Sequence, residues 1–230
     1  MENKITSPKV LFFDVNETLL DLTPIKTKIT KLFNGDSDKV SHWFSKLLHY
    51  SLVVSATGDY HHFGKIGAVT LKMLAAEQGI SLSLKDAKLI VTQGFKQLPA
   101  HEEVANALSR LKRSGYTLVA LTNSDSDTLA AQLQYAQLAS FFDAQLSVEK
   151  IGLFKPHSKV YGWAALQMGV DPKDTLLLAA HGWDVAGALQ ANLRAIFIAR
   201  KGKYEFPLAP KTEAVVQNLT EAADYLIGLK

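Results

Sequence analysis

The sequence predicts an α/β protein with a Rossmann-like, doubly wound parallel sheet, and the alternation of strand-like and helix-like segments carries that prediction. From about residue 99 to the C-terminus, short apolar runs alternate with amphipathic stretches. Strands that alternate with helices are joined by right-handed crossovers, which place helices on both faces of a parallel sheet. One predicted strand, VLFF, lies near the N-terminus. The others are YTLVALT, AQLSV, TLLLAA and RAIFIA.

A second observation is a long helical stretch that follows the first strand. Apolar residues recur three and four positions apart, the spacing of an amphipathic helix, and no strand interrupts the pattern. We therefore expect a helical domain, residues 21–98, inserted into a core formed by residues 1–20 and 99–230. The helical segments read SDKVSHWFSKLLHYSLVVSA, GKIGAVTLKMLAAEQG and SLKDAKLIVTQGFKQL.

The helices of the core are predicted from their end signals. PAHEEVANALSRLKRSG has Glu102 and Glu103 in its expected first turn and Gly115 after its last turn, as the helix dipole and C-cap preferences favour. In SDTLAAQLQYAQL the expected N-cap is Ser126 or Asp127. TEAVVQNLTEAADYLIGL is predicted to form one closing helix, and RKGKYEFPLAP has no clear assignment.

Composition excludes several classes of function. The formal charge is +3 and basic residues are scattered among acidic ones, so there is no basic stripe for nucleic acid. The absence of cysteine excludes disulfides, thiolate metal sites and a cysteine nucleophile. There is no secretory signal pattern, and the longest apolar runs are strand-sized. We expect a cytoplasmic protein that binds neither nucleic acid nor membrane.

Polar residues follow four of the predicted strands, and this places the candidate site. In open parallel sheets, ligands bind beyond the carboxyl ends of the strands. One edge of the sheet is therefore expected to bring together acids, hydroxyls and an ammonium group. These residues are Asp14, Asn16 and Thr18 after the first strand, Thr122 and Asn123 after the second, Lys155 after the third, and His181 and Asp184 after the fourth.

Asp14 is the residue whose position needs an explanation. A carboxylate at the end of an apolar strand is costly to bury unless it is paired, whereas a reactive carboxylate can form an ester or acyl-phosphate intermediate. Lys155 would keep it ionised, and Thr18 would hold its second oxygen. Thr122 would orient a substrate carboxylate or phosphate. Asp184 would hold Lys155, position a water or share a metal ion.

The segments FDVNETLLD, ALTNSD, GLFKPHSKVY and AAHGWDVAGA stand in the order and approximate spacing of the four motifs of the haloacid dehalogenase superfamily. The chain resembles that superfamily over its whole length, and it looks most similar to the type II, or L-2-haloacid, dehalogenases. The features closest to that subgroup are FKPHSKVY, the pair Trp183–Asp184 followed by AGA, and the tail IFIARKGKYEFPL. The resemblance implies a hydrolase whose helical insertion is a cap domain.

The resemblance also implies residue roles. It implies that Asp14 is the nucleophile, that Thr18 supports it, and that Lys155 is the lysine of the third motif. It places substrate-anion binding near the second motif, and it identifies a tyrosine near Lys155 and the acid of the fourth motif. Thr122 and Asn123 are the residues at the anion-binding position, Tyr161 is the tyrosine, and Asp184 is the acid of the fourth motif. Asn16, Tyr161 and Phe44 are also expected to contact substrate, and His181 is expected to take part in catalysis.

Three positions depart from the pattern. Phosphatases of the superfamily carry a second aspartate where Asn16 stands, and an amide cannot supply a proton to a leaving group. The cap arginine that receives halide in dehalogenases aligns with Phe44. Dehalogenases carry an asparagine at the position of His181, and the imidazole found here can act as a base near neutral pH.

The alternatives therefore differ in chemistry. The preferred reading is a 2-haloacid dehalogenase-like hydrolase that needs no cofactor and acts on a small anionic substrate. A Mg²⁺-dependent phosphatase, with Asp14, the Asn16 carbonyl and Asp184 as ligands, is the second. A non-catalytic anion-binding member is the third, and a homodimer is a family-level expectation. Thr122 and Asn123 also suit a turn or helix cap, and Asp184 suits a cap of the helix DVAGALQAN.

Overall fold

Within residues 6–230, which the computed structural model describes, six strands form one parallel sheet. Their spatial order is β3-β2-β1-β4-β5-β6, and every neighbouring pair is parallel. This confirms the predicted doubly wound α/β fold. The strands are β1 (Val10–Phe13), β2 (Thr117–Thr122), β3 (Ala144–Ser147), β4 (Thr175–Ala179), β5 (Arg194–Ile198) and β6 (Ala214–Val216).

Helices cover the sheet on both faces. All four residues of β1 are buried, although successive side chains of a strand point to opposite faces. Both faces of the central strand must therefore be covered, as in other parallel sheets. Helix α5 packs against α9, and α7 packs against α8. The core helices are α5 (Val104–Arg113), α6 (Ser126–Tyr135), α7 (Ser158–Gln167), α8 (Gly182–Gln190) and α9 (Leu219–Ile227).

The strand order reverses between β1 and β4, and this reversal positions the site. From β1 the chain order runs outward through β2 and β3, whereas β4 begins the other half of the sheet. Ligand crevices of open α/β sheets form at such a switch point, beyond the carboxyl ends of the strands. Phe13 pairs with Leu178 at the ends of these two strands. Asp14 and the loop at His181 therefore meet at the switch point.

Four helices fill the segment between β1 and α5. Helix α3 packs against α2 and α4, and α4 also contacts α6 of the core. The indole of Trp43 is buried and donates to the Gly67 carbonyl at 2.9 Å. At Gly94 a Cβ would lie 2.8 Å from Ile25 Cδ1, so α1 and α4 pack closely only with glycine there. These helices are α1 (Thr23–Leu32), α2 (Asp38–Thr57), α3 (Phe63–Glu77) and α4 (Leu84–Lys96).

The predicted single closing helix is wrong in its first half. The chain forms strand β6 before α9, and the β6 residues extend the edge of the sheet beside β5. The Ala199 amide donates to the Val216 carbonyl at 2.7 Å. The Asn218 side chain then accepts from the Glu221 amide at 3.0 Å and caps α9. The adjacent β-branched Val215 and Val216 favour the extended form.

Two predicted helix starts are also corrected. Helix α5 begins at Val104, so Glu102 and Glu103 precede it rather than occupying its first turn. Helix α6 is capped by Asp125, whose side chain accepts from the Thr128 amide at 2.9 Å. The expected caps, Ser126 and Asp127, are therefore helical residues.

Candidate active site

Lys155 is the centre of a buried cluster of charges. Its ammonium Nζ donates to Asp14 Oδ1 at 2.9 Å, to Asp184 Oδ2 at 2.6 Å and to the Leu121 carbonyl at 2.9 Å. An ammonium has three protons to donate, and all three are used here. The side chain is fully buried. Lys155 is therefore not a solvated loop residue, and it joins three neighbouring strand ends.

Asp14 has hydrogen-bond donors on both carboxylate oxygens. Besides the Lys155 contact at Oδ1, its Oδ2 accepts from Thr18 Oγ1 at 2.6 Å and lies 3.0 Å from His181 Nδ1. Thr18 in turn accepts from the Ala180 amide at 2.9 Å, which ties the loop after β4 to the loop after β1. These contacts give the buried carboxylate the pairing that its position requires.

The second ring nitrogen of His181 contacts an acid that the sequence reasoning missed. His181 Nε2 lies 3.0 Å from Glu17 Oε2, and Glu17 also accepts from Lys26 at 2.6 Å and Lys203 at 2.5 Å. Glu17 is buried, and its φ of 61° lies in the left-handed region that a glutamate rarely adopts. The one local signal was that Glu17 is a further acid within the first motif, close to Asp14 in sequence.

The side chain of Asp184 points to the cluster and does not cap α8. It lies in the first helical turn, where its Oδ1 accepts from the Tyr161 hydroxyl at 2.5 Å and its Oδ2 accepts from Lys155. Tyr161 also donates toward the Asp184 carbonyl at 3.0 Å. Tyr161 is fully buried behind Asp184, where its hydroxyl orients the acid, and its expected contact with substrate stays a prediction.

The amide side chains near the site hold loops in place. Asn123 Oδ1 accepts from the Lys155 backbone amide at 2.9 Å, and its Nδ2 donates to the Lys155 carbonyl at 3.4 Å. Asn16 Oδ1 accepts from Gln132 at 2.8 Å. Thr122 Oγ1 accepts from the Ser124 amide at 3.1 Å. The turn-forming interpretation of Thr122 is therefore compatible with a position facing substrate.

The expected Mg²⁺ ligands do not fit a magnesium ion in this arrangement. Magnesium needs several free oxygen ligands in near-octahedral geometry. The oxygens of Asp14 and Asp184 already accept from Lys155, Thr18, His181 and Tyr161. In the described part of the chain, no group of three or more His, Asp or Glu side chains is arranged to hold a metal.

A small cavity faces Asp14. Its volume is about 10 Å³, close to the space that one water molecule occupies. The ring of Phe44, the residue that aligns with the dehalogenase arginine, stacks on His181 at the site with centroids 6.2 Å apart. The cavity is lined by Asp14, Asn16, Phe44, Leu48, Phe63, Thr122, Asn123, His181 and Trp183.

The charges set the protonation of Asp14 and His181. Burial opposes ionisation of Asp14, but Lys155, His181 and Thr18 offset it and hold its pKa below the usual range. Burial opposes protonation of His181, but its bonds to Asp14 and Glu17 raise the pKa. Carboxylate oxygens lie at hydrogen-bond distance from both ring nitrogens, an arrangement that favours the doubly protonated imidazolium.

The pKa values of Lys155 and Asp184 are both raised, but by different causes. Burial disfavours the ammonium, yet the adjacent charges of Asp14 and Asp184 raise the pKa of Lys155. Burial, together with the neighbouring Asp14 charge, raises the pKa of Asp184 above its ordinary value, against the opposing effect of Lys155. Burial also raises the pKa of Tyr161 well above its ordinary value, which keeps its hydroxyl a donor.

The fold is thus an α/β protein with a buried aspartate and a buried lysine at the switch point of a parallel sheet, in segments that carry the predicted motifs. Residues 8–192 match the family of haloacid dehalogenase-like hydrolases. The chain belongs to this family of hydrolases.

Curated relatives match over most of the chain. The (S)-2-haloacid dehalogenase of Pseudomonas fluorescens is 27% identical over 217 residues, which covers 94% of this chain and 95% of that protein. The (S)-2-haloacid dehalogenase of Xanthobacter autotrophicus is 28% identical over 195 residues, covering 84% of this chain and 75% of that protein.

Solved structures have the same fold. The L-2-haloacid dehalogenase from Xanthobacter autotrophicus with chloropropionic acid covalently bound superposes with a TM-score of 0.90. The two chains are 22% identical, and the match covers 97% of this chain and 100% of that chain. No helix among residues 6–230 has both the length and the apolar character needed to cross a bilayer.

Proposed function

We propose that this chain hydrolyses the carbon–halogen bond of a 2-haloacid, with Asp14 as the nucleophile. The observation that carries the proposal is the Asp14 carboxylate, ionised and held by Lys155, Thr18 and His181 at the switch point of the sheet. The relatives named (S)-2-haloacid dehalogenase support the same reaction.

In the first step, a carboxylate oxygen of Asp14 attacks the carbon that carries the halogen. The new C–O bond forms as the carbon–halogen bond breaks, and the halide leaves with the bonding electrons. Lys155 keeps Asp14 ionised before the attack. Asn16, Thr122 and Asn123 line the same cavity and are proposed to contact the substrate anion.

In the second step, water adds to the carbonyl carbon of the Asp14 ester and releases the hydroxy acid. Esterification removes the Asp14 charge that helps to hold a proton on His181 Nδ1. His181 can then release that proton to solvent and accept one proton from the attacking water. The tetrahedral intermediate collapses and expels the alkoxide of the hydroxy acid, which takes up the remaining water proton. The products are the hydroxy acid, halide and one proton, and the Asp14 carboxylate is regenerated. Asp184 holds Lys155 in place throughout.

The helical segment is proposed to act as a cap over this site. Leu20 pairs with Ala100, and the Asp21 amide donates to the Pro99 carbonyl at 2.8 Å, where the two connections run side by side. This supports core residues 1–20 and 99–230 with a cap of residues 21–98. Phe44 brings the cap to His181. A cytoplasmic location and a homodimer remain predictions.

The test is a substrate panel with a trapped intermediate. We expect halide release from L-2-haloacids without added Mg²⁺, and a covalent adduct on the Asp14 peptide detected by mass spectrometry. Asp14→Asn, which keeps the side-chain shape, should abolish both. Phosphate release from phosphomonoesters that depends on Mg²⁺ and on Asp14 would support the phosphatase instead. If the wild type and Asp14→Asn bind the same ligand equally and neither turns it over, the non-catalytic alternative is supported.

A further inference from the structure

A second and much larger cavity adjoins the one that faces Asp14. Its volume is about 690 Å³, within the range of small-molecule pockets. Four side chains, Phe44, Leu48, His181 and Trp183, line both cavities. We call the larger cavity the tail pocket. It is bounded by the start of α8 and the loop of residues 202–209.

An aromatic stack separates the two cavities. His181 stacks on Phe44 with centroids 6.2 Å apart and on Trp183 with centroids 5.0 Å apart. The cavity at Asp14 has a volume of about 10 Å³, which is too small for any haloacid, haloacetate included. A substrate whose reacting carbon reaches Asp14 must therefore displace part of this stack, and the space behind the stack is the tail pocket.

The walls of the tail pocket suit an apolar ligand group. A Cβ at Gly182 would lie 2.5 Å from the Tyr204 carbonyl, so glycine lets the loop of residues 202–209 lie directly on α8. The same loop carries three exposed large apolar side chains, Tyr204, Phe206 and Leu208, at 82%, 50% and 84% exposure. Such a cluster is costly to leave in water, and it favours an apolar occupant next to the site.

We propose that the tail pocket binds the alkyl chain of the substrate. The protein would then act on medium-chain 2-haloacids rather than on haloacetate alone. This inference rests on the proposed function for its reaction, and on the two adjoining cavities for its substrate class. The carboxylate and reacting carbon lie at Asp14, and the alkyl chain extends past His181 and Trp183. Ala186, half-buried on α8, lines the pocket wall.

Binding of unreactive acids tests the pocket without relying on turnover. Acetate, butyrate, hexanoate and octanoate are titrated into the wild-type protein by calorimetry. Each added methylene should lower the dissociation constant by about two- to fourfold, as expected for burial of apolar surface. A dissociation constant that does not change along the series would overturn the proposal.

Two variants locate the effect. Ala186→Phe fills the pocket and should remove the gain for octanoate while leaving acetate unchanged. The matched control is Ala130→Phe, at an exposed alanine of α6 away from the pocket. Leu208→Ser, at the exposed rim, should weaken octanoate binding without a burden on folding. If Ala186→Phe and Leu208→Ser both bind octanoate as the wild type does, the tail pocket is not its binding site.

Turnover separates this proposal from the reaction itself. Halide release is measured with 2-chloroacetate and with 2-chlorooctanoate, and we expect the longer acid to have the higher kcat/KM. Length-dependent binding without any halide release would uphold the tail pocket and contradict the proposed reaction. Equal turnover of both acids, with length-independent binding, would uphold the reaction and contradict the tail pocket.

Discussion

His181 bridges two buried carboxylates, since its Nε2 lies 3.0 Å from Glu17 Oε2 while its Nδ1 lies 3.0 Å from Asp14 Oδ2. Glu17 is itself bonded by Lys26 and Lys203 at the protein surface. The candidate nucleophile is thus connected to the surface through one imidazole and one carboxylate. This arrangement fixes the ring orientation and favours its protonated form.

Glu17→Gln is expected to slow turnover more than it weakens substrate binding. The amide keeps the shape of the side chain but removes the charge that holds the His181 proton. We expect kcat to fall by about tenfold to a hundredfold, taking as a guide the loss seen when the partner that orients a metal-binding histidine is removed. KM should change little, because Glu17 does not line the cavity at Asp14.

Steady-state halide release checks this prediction. Glu102→Gln, at an exposed acid outside the site, is the matched control and should behave as the wild type. A Glu17→Gln enzyme with unchanged kcat would show that the carboxylate has no part in the reaction.

His181→Asn is expected to change how stability depends on pH. Because the folded protein raises the pKa of His181, the protonated ring stabilises the fold fully below its unfolded pKa of about 6.5. That stabilisation is lost as pH rises through the higher folded pKa. The free energy of unfolding of the wild type should therefore be higher than that of His181→Asn. This difference should be largest near pH 6 and smaller at alkaline pH.

Urea denaturation at a series of pH values measures this difference. Asp14 and Glu17, whose pKa values are lowered in the fold, stay ionised over this window and contribute no slope of their own. A gap between the two proteins that is constant with pH, or that grows on the alkaline side, contradicts the prediction.

The local sequence signals predicted the sheet and the proximity of Asp14 to Lys155, but not the contacts between distant loops. Strand and helix alternation and the polar residues at strand ends placed Asp14 and Lys155 together, because parallel strands end at the same edge. Glu17 was missed, since its partner His181 lies 164 residues away. The left-handed backbone conformation of Glu17 could not be predicted either, because glycine or asparagine is the usual sequence sign of that conformation.

Other misses have equally specific causes. Residues 214–216 were predicted as helix because their apolar spacing suits either period. Their β-branched valines favour a strand only weakly, and pairing with the edge of β5 decides the outcome. The role of Tyr161 depends on which side of Asp184 its hydroxyl reaches. The size of the cavities depends on the packing of Phe44 and the loop of residues 202–209, which no local pattern specifies.

Lys155→Met is expected to abolish activity and to destabilise the fold. The substitution removes the ammonium and leaves Asp14 and Asp184 buried as adjacent acids without their shared cation. Breaking a buried ion pair from one side typically costs about 3–5 kcal/mol. In the double variant Lys155→Met/Asp184→Asn one unpaired charge is gone, so its free energy of unfolding should be higher than that of Lys155→Met.

The double-mutant cycle in urea is the measurement. The cycle also needs the single variant Asp184→Asn. The difference between the effect of the double variant and the sum of the two single effects gives the coupling energy between Lys155 and Asp184. Additive effects of the two substitutions would mean that the pair is not energetically coupled.

Gly182→Ala is expected to destabilise the protein although alanine favours helices. Gly182 begins α8, and an added Cβ would lie 2.5 Å from the Tyr204 carbonyl and 2.9 Å from the Phe206 amide nitrogen. Both neighbours are backbone atoms, so the loop of residues 202–209 must move away. Overpacking of this kind costs about 1–3 kcal/mol, more than the gain in helix propensity of up to about 1 kcal/mol.

Gly162→Ala is the matched control, since nothing lies within 4 Å of an added Cβ in the middle of α7. There only the helix propensity changes, and the free energy of unfolding should rise by up to about 1 kcal/mol. Opposite signs for the two glycines, measured by urea denaturation, would establish that the close approach of the loop requires glycine at Gly182. A stabilised Gly182→Ala would mean that the loop does not rest on α8, and the wall of the tail pocket would then have to be redrawn.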